Sequence, residues 1–174
     1  MTYNEIENRI QSGDIILFSG QRLYQKIIQY ISKSKWNHIG VIFESYGHLF
    51  LIEAVGSGVQ IRRFKQACDG HRNSIRIIRP QWRYVNQNFD LIRNILDNIG
   101  NDYDFKGVLA FLIRTIYPKF RWQNKTSQFC SELIAHALEN VNYRWTAKPS
   151  HLVKPCDFDQ IENFNIIIDS YQTI

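Results

Sequence analysis

Cys130, within SQFCSELIAHAL (Ser127 to Leu138), is the residue whose type and setting best suit a nucleophile. Cys130, Leu133, Ile134, Ala137 and Leu138 recur at helical spacing, so the run reads as a helix with one apolar face. Ser127 suits an N-cap, because its hydroxyl can accept an otherwise unpaired backbone N–H. A cysteine in the first turn meets exposed N–H groups and the positive end of the helix dipole, an environment that favours a reactive thiolate. The helix by itself is equally compatible with a buried structural cysteine.

A catalytic thiol needs a base, usually histidine, and a third group that orients it. The chain has five histidines. His136 lies about 240° around the helix from Cys130 and points elsewhere. His48 falls in a hairpin turn, His71 in a polar basic loop, and His151 after Pro149-Ser150. His38 opens the otherwise apolar run HIGVIFE, and Glu53 sits inside LFLIEAV. Charged groups in apolar strands are costly unless paired. A hairpin turning near Ser45-Tyr46 puts His38 directly opposite Glu53, and a register step either way leaves them diagonal neighbours. The two then supply a base and its orienter, or else a structural pair holding the hairpin.

These residues have to be carried by the surrounding elements. Residues 3–11 read as a short polar helix, Ile15 to Phe18 as a strand, and Gln21 to Ile31 as an amphipathic helix. The hairpin follows, its strands HIGVIFE and LFLIEAVG joined through SYGH. Val59 to Arg62 and Ser74 to Arg79 read as further strands, the second stopped by Pro80. Val85 to Gly100 is a helix with Phe89, Ile92, Ile95, Leu96 and Ile99 at helical spacing. A helix over Phe105 to Tyr117 precedes the cysteine helix, and Asn163 to Ile168 closes the chain as a strand. Strands come first and helices later, which favours α+β with a mostly antiparallel sheet.

The 174 residues suit one domain, 1–174, and 44% hydrophobic residues indicate a globular chain. Three cysteines at scattered spacings show neither a disulfide framework nor a metal-ligand pattern. Cys68, in a polar loop, and Cys156, after a proline, are read as non-catalytic. The N-terminus shows no signal peptide, which favours the cytoplasm, and no apolar run reaches the roughly 20 residues of a membrane span. Arg62, Arg63, Lys65, Arg72, Arg76, Arg79 and Arg83 form a basic stretch, read as a solvated face, with attraction to anionic cell wall, membrane or nucleic acid as the alternative. No nucleic-acid motif accompanies it, so no nucleic-acid partner is expected.

Taken together, GDIILFSG at Gly13, WNHIGVIF at Trp36, LIEAVGSGVQI at Leu51, NDYDF at Asn101, FCSELIAHAL at Phe129 and the proline-serine loop at Pro149 carry a resemblance. Their order and spacing resemble the permuted papain-like cysteine hydrolases, relatives of the NlpC-type cell-wall peptidases, with the YiiX/YebB-like branch nearest. The resemblance spans about residues 12 to 156. It implies a circularly permuted fold, with a small antiparallel sheet packed against the cysteine helix and its neighbours. It implies Cys130 as nucleophile, His38 as base, Glu53 as the polar third member, and Tyr103 as an aromatic assisting in binding or at the oxyanion. The implied activity is hydrolysis of an amide bond in a peptide or cell-wall peptide through an acyl-enzyme, with no cofactor and no metal. A lipid thioesterase or acyltransferase on the same fold is the alternative enzyme. A catalytically idle module that binds a peptide or amino acid is the alternative outside enzymes.

Overall fold

The structure is a computed structural model, and it describes residues 6–20, 26, 29–30, 32–55, 57–69, 75–100, 130–159 and 162–169. Most of the helix read over Gln21 to Ile31, the helix read over Phe105 to Tyr117, Tyr103 and the cap Ser127 lie outside the described residues.

Six strands form one antiparallel sheet: β1 (Ile15–Phe18), β2 (His38–Ser45), β3 (His48–Val55), β4 (Gly58–Arg63), β5 (Ile75–Pro80) and β6 (Phe164–Asp169). Their spatial order is β4-β3-β2-β1-β5-β6. Among the described residues three α-helices accompany them: α1 (Phe64–Asp69), α2 (Gln87–Leu96) and α3 (Cys130–Asn140). Alternation along the strands gives the sheet two apolar faces. On one, Ile15, Leu17, Ile39, Val41, Ile52 and Ala54 pack with Leu91 and Ile95 of α2 and Leu133 and Leu138 of α3. On the other, Ile16, Phe18, Ile42 and Leu51 pack with Ile6 and Ile10 and with Phe64, Ala67 and Cys68 of α1. Covering both faces is why β1 reads as an unbroken apolar run and is buried throughout.

Several local readings shift. The opening segment, read as polar, buries Ile6 and Ile10, which are four residues apart and share one face. Cys68 is not in a loop: Phe64, Ala67 and Cys68, at helical spacing, anchor α1 beneath the sheet. The helix read over 85–100 is regular over Gln87–Leu96. Its buried stripe is Leu91, Ile92 and Ile95, and Phe89 is exposed. Gln87 is buried because it is satisfied, accepting from the Arg83 and Tyr84 amides and donating to the Val141 carbonyl.

The β2–β3 hairpin turns at Tyr46-Gly47, one residue later than the sequence suggested. Both residues have positive φ, 51° and 72°, as a two-residue turn matched to the strand twist requires. The register therefore moves by one step. Glu53 faces Gly40 instead of His38, and the histidine becomes its diagonal neighbour. Gly40 has no room for a side chain: a Cβ there would lie 2.6 Å from Leu51 Cδ1 and 2.9 Å from the Ile52 carbonyl oxygen. Gly40→Ala is expected to destabilise the protein by about 1–3 kcal/mol, seen as a lower urea midpoint at unchanged slope. An unchanged midpoint would mean the strands can part without cost.

Candidate active site

The chain leading into β2 is fixed residue by residue. Trp36 is buried in the core, and its indole N–H donates to Asp159 Oδ2 at 2.9 Å. Asn37 exchanges two bonds with Gly20: the Gly20 amide donates to Asn37 Oδ1 at 3.0 Å, and Asn37 Nδ2 donates to the Gly20 carbonyl at 3.1 Å. The Asn37 amide also donates to the Phe18 carbonyl. His38 therefore begins β2 from a rigid base. Its ring stacks on Phe18, its register partner in β1, with ring centroids 5.7 Å apart.

From there the imidazole reaches diagonally to Glu53, which faces Gly40 in the register. Its Nε2–H donates to Glu53 Oε2 at 2.7 Å. The Glu53 side chain has no exposed surface, against 12% for His38. The other carboxylate oxygen, Oε1, accepts from Arg62 Nε on β4. Arg62 faces Leu51 in the register, so it too reaches Glu53 diagonally.

The second group acting on His38 is Cys130, whose sulfur lies near enough to favour the charged imidazole. Because Nε2 is held by Glu53, Nδ1 is the nitrogen left to the thiol. Cys130 is buried at the head of α3 as described, and it clusters with Ile39, Val41, Ile52 and Ala54. These residues alternate with His38, Gly40 and Glu53 along their strands. The helix and the carboxylate thus lie on opposite faces of the sheet, and the imidazole joins them at the end of β2. Ser131, next to Cys130, donates its hydroxyl to the Val153 carbonyl at 2.7 Å and ties α3 to the loop that follows it.

The electrostatics follow from this chain of contacts. Burial opposes a charged imidazole. The Cys130 sulfur, by attraction and hydrogen bonding, and then Glu53 more than offset it, so that His38 is pushed up to about 10. Burial likewise opposes the Glu53 carboxylate, but His38 and then Arg62 hold it down to about 2. Cys68, beneath the same carboxylate, is pushed up to about 12, first by burial and then by Asp69. It stays a neutral thiol. Cys156 is raised by burial and by Asp157.

The sequence residues thus divide clearly. Cys130, His38 and Glu53 are brought together in a line, and Tyr103 lies outside the described residues. Arg62, which its sequence neighbours group with the basic stretch, joins them at Glu53. That stretch is not one solvated face: Arg62 turns to Glu53, Arg76 to Asp159 and Asp169, and Arg79 to Asp14. The signal for Arg62 lay in the glycine turn before β4, from which the register reaches Glu53. Among the described residues no cluster of three or more His, Cys, Asp or Glu could hold a metal ion. None of their helices is long and apolar enough to cross a membrane.

An antiparallel sheet with a cysteine helix against one face and a histidine strand earlier in the chain defines a permuted papain-like hydrolase. The family described as permuted papain-like amidase enzyme, YaeF/YiiX, C92 family, matches residues 9–160, and the chain belongs to it. It is therefore a hydrolase of the cysteine peptidase and amidase type. The crystal structure of the metalloprotein yiiX from Escherichia coli O157:H7 (DUF1105) is similar to this chain. The match has a TM-score of 0.61 and 23% identity, and covers 76% of this chain and 67% of that one. At that identity the likeness bears on the fold. No curated protein matches the chain.

The pairing makes stability depend on pH in two directions. Glu53, held below its unfolded value of 4.5, stabilises fully above that pH and loses the effect as pH falls through about 2. His38, held above its unfolded value of 6.5, stabilises fully below that pH and loses the effect as pH rises through about 10. Glu53→Gln is thus expected to cost about 3–5 kcal/mol, by the usual cost of breaking a buried pair. The cost should be greatest between pH 4.5 and 6.5 and smaller on either side. Urea unfolding of both proteins across pH checks this, and a pH-independent difference would refute it.

Proposed function

We propose that the protein hydrolyses an amide bond in a peptide or cell-wall peptide, with Cys130 as nucleophile, His38 as general base and acid, and Glu53 as the orienting carboxylate. The observation that supports the reading is a single imidazole bonded to a buried carboxylate and held in its charged form by the helix-borne Cys130 sulfur as well. A purely structural His–Glu pair would have no reason to meet the thiol.

The steps follow from that line. Nδ1 of His38 accepts the thiol proton, and the sulfur attacks the acyl carbon. The C–N bond then breaks as the imidazolium passes its proton to the leaving amine, which leaves a thioester on Cys130. Water, deprotonated by His38, attacks the thioester. The acid departs, and the returned proton restores the thiol. Glu53 stays ionised throughout, holding the ring in the tautomer with its proton on Nε2. The Cys130 backbone N–H, at the helix start, is the expected oxyanion donor, joined by Tyr103.

In the test, peptide amides, acyl esters and thioesters are offered to the wild type, with Cys130→Ala as control. Amide hydrolysis that disappears in Cys130→Ala is expected; His38→Ala should lose about 10²–10⁴-fold. Turnover of esters alone would replace the peptide reading with the lipid one. Residual hydrolysis in Cys130→Ala would refute the nucleophile. Iodoacetamide labelling of Cys130 no faster than a free model thiol, and unchanged in His38→Ala, would leave only a binding module.

A further inference from the structure

Glu53 faces a difficulty that a His–Glu pair cannot resolve by itself. Its side chain is fully buried, and His38 has to alternate between cation and neutral ring in every turnover. Whenever the ring is neutral, a carboxylate paired with His38 alone would be an uncompensated buried charge. It would then draw a proton, and the ring would lose its orienting acceptor. The second oxygen of Glu53 meets a group free of this alternation. Arg62 donates through Nε to Oε1 while His38 holds Oε2, so the carboxylate is stretched between a titrating and a permanent cation. Arg62 does this from β4 with a side chain about one-third exposed, at 34%, against none for Glu53.

We infer that Arg62 is a positioning residue of the catalytic site, keeping Glu53 ionised and its free oxygen aimed at His38 through both protonation states of the ring. The inference rests on the catalytic reading of Cys130, His38 and Glu53. Arg62 does not touch the reacting atoms and acts through Glu53. Among the described residues, the other groups that interact with Glu53 or His38 differ in kind. Cys68 of α1 is a neutral buried thiol, Asp69 carries the wrong sign, and Cys130 acts on His38. A deletion on Arg62 should therefore show itself in mild acid, where an unsupported carboxylate takes up a proton.

The test needs no substrate. Iodoacetamide labelling of Cys130 is followed against pH by peptide mass spectrometry in the folded protein, with Cys68 and Cys156 as internal references. In Arg62→Gln the acid midpoint is expected to move up by about one pH unit, giving roughly tenfold slower labelling below it. Arg62→Lys, which keeps the charge, should recover most of that rate. In a Glu53→Gln background Arg62→Gln should change labelling by less than about twofold, since the carboxylate it serves is gone. An Arg62→Gln profile that overlays the wild type overturns the inference. So does an equal loss with and without the Glu53 carboxylate, or an Arg62→Lys protein as slow as Arg62→Gln. Should Arg62→Gln fail to fold, carboxyl NMR of His38→Ala decides: Glu53 ionised at pH 7 is expected, and a protonated Glu53 overturns the inference. Wild-type Cys130 labelling no faster than a free thiol would instead sink the catalytic reading itself, a separate outcome read from the same series.

Discussion

A fully buried carboxylate keeps its charge only through its partners, and much of this sheet is arranged around that demand at Glu53. The two partners come from the strands on either side of β3: His38 from β2 and Arg62 from β4. Both reach diagonally, so the register of two neighbouring strand pairs has to be right at once. The glycine opposite Glu53 lets the Leu51 side chain pack closely against the backbone there. A tight turn at Tyr46-Gly47 sets the first register. An error of one residue in either pairing would send a side chain to the wrong face and strand a charge in the core.

The same demand places the imidazole at the boundary between two packed layers. The carboxylate lies on the face covered by α1 and the N-terminal segment, while the thiol arrives with α3 on the other. A residue in mid-strand could serve one face only. His38 serves both because it is the first residue of its strand, held from behind by the Trp36 and Asn37 bonds and from the side by Phe18. Ser131 does the corresponding task for the thiol, fixing α3 to the loop at Val153. In the permuted order the histidine strand comes early and the cysteine helix late. Their meeting thus depends on packing between segments about ninety residues apart.

The arginines between β4 and β5 show how little a charge run says about a surface. In the chain they are neighbours, and read together they suggest one basic face. In space, alternation within strands sends Arg62 to Glu53, Arg76 to the Asp159 and Asp169 pair, and Arg79 to Asp14. Each has become an internal tie between distant parts of the chain. Arg76 also stacks beside Trp36, and so supports the segment that presents His38.

The sequence by itself determined the antiparallel strands, the cysteine helix with its buried face, and the family. It also singled out Cys130, His38 and Glu53, because an ionisable residue in an apolar run is legible wherever the run is. Those signals are local, and local periodicity survives in any window of the chain. Only the tertiary structure decided which oxygen of Glu53 meets which partner, that Gly40 stands opposite it, that Cys68 lies on the buried side of a helix, and that Arg62 turns to Glu53. Each of these depends on a register or a packing angle. Moving a turn by one residue changes every cross-strand neighbour while leaving the hydrophobic pattern untouched.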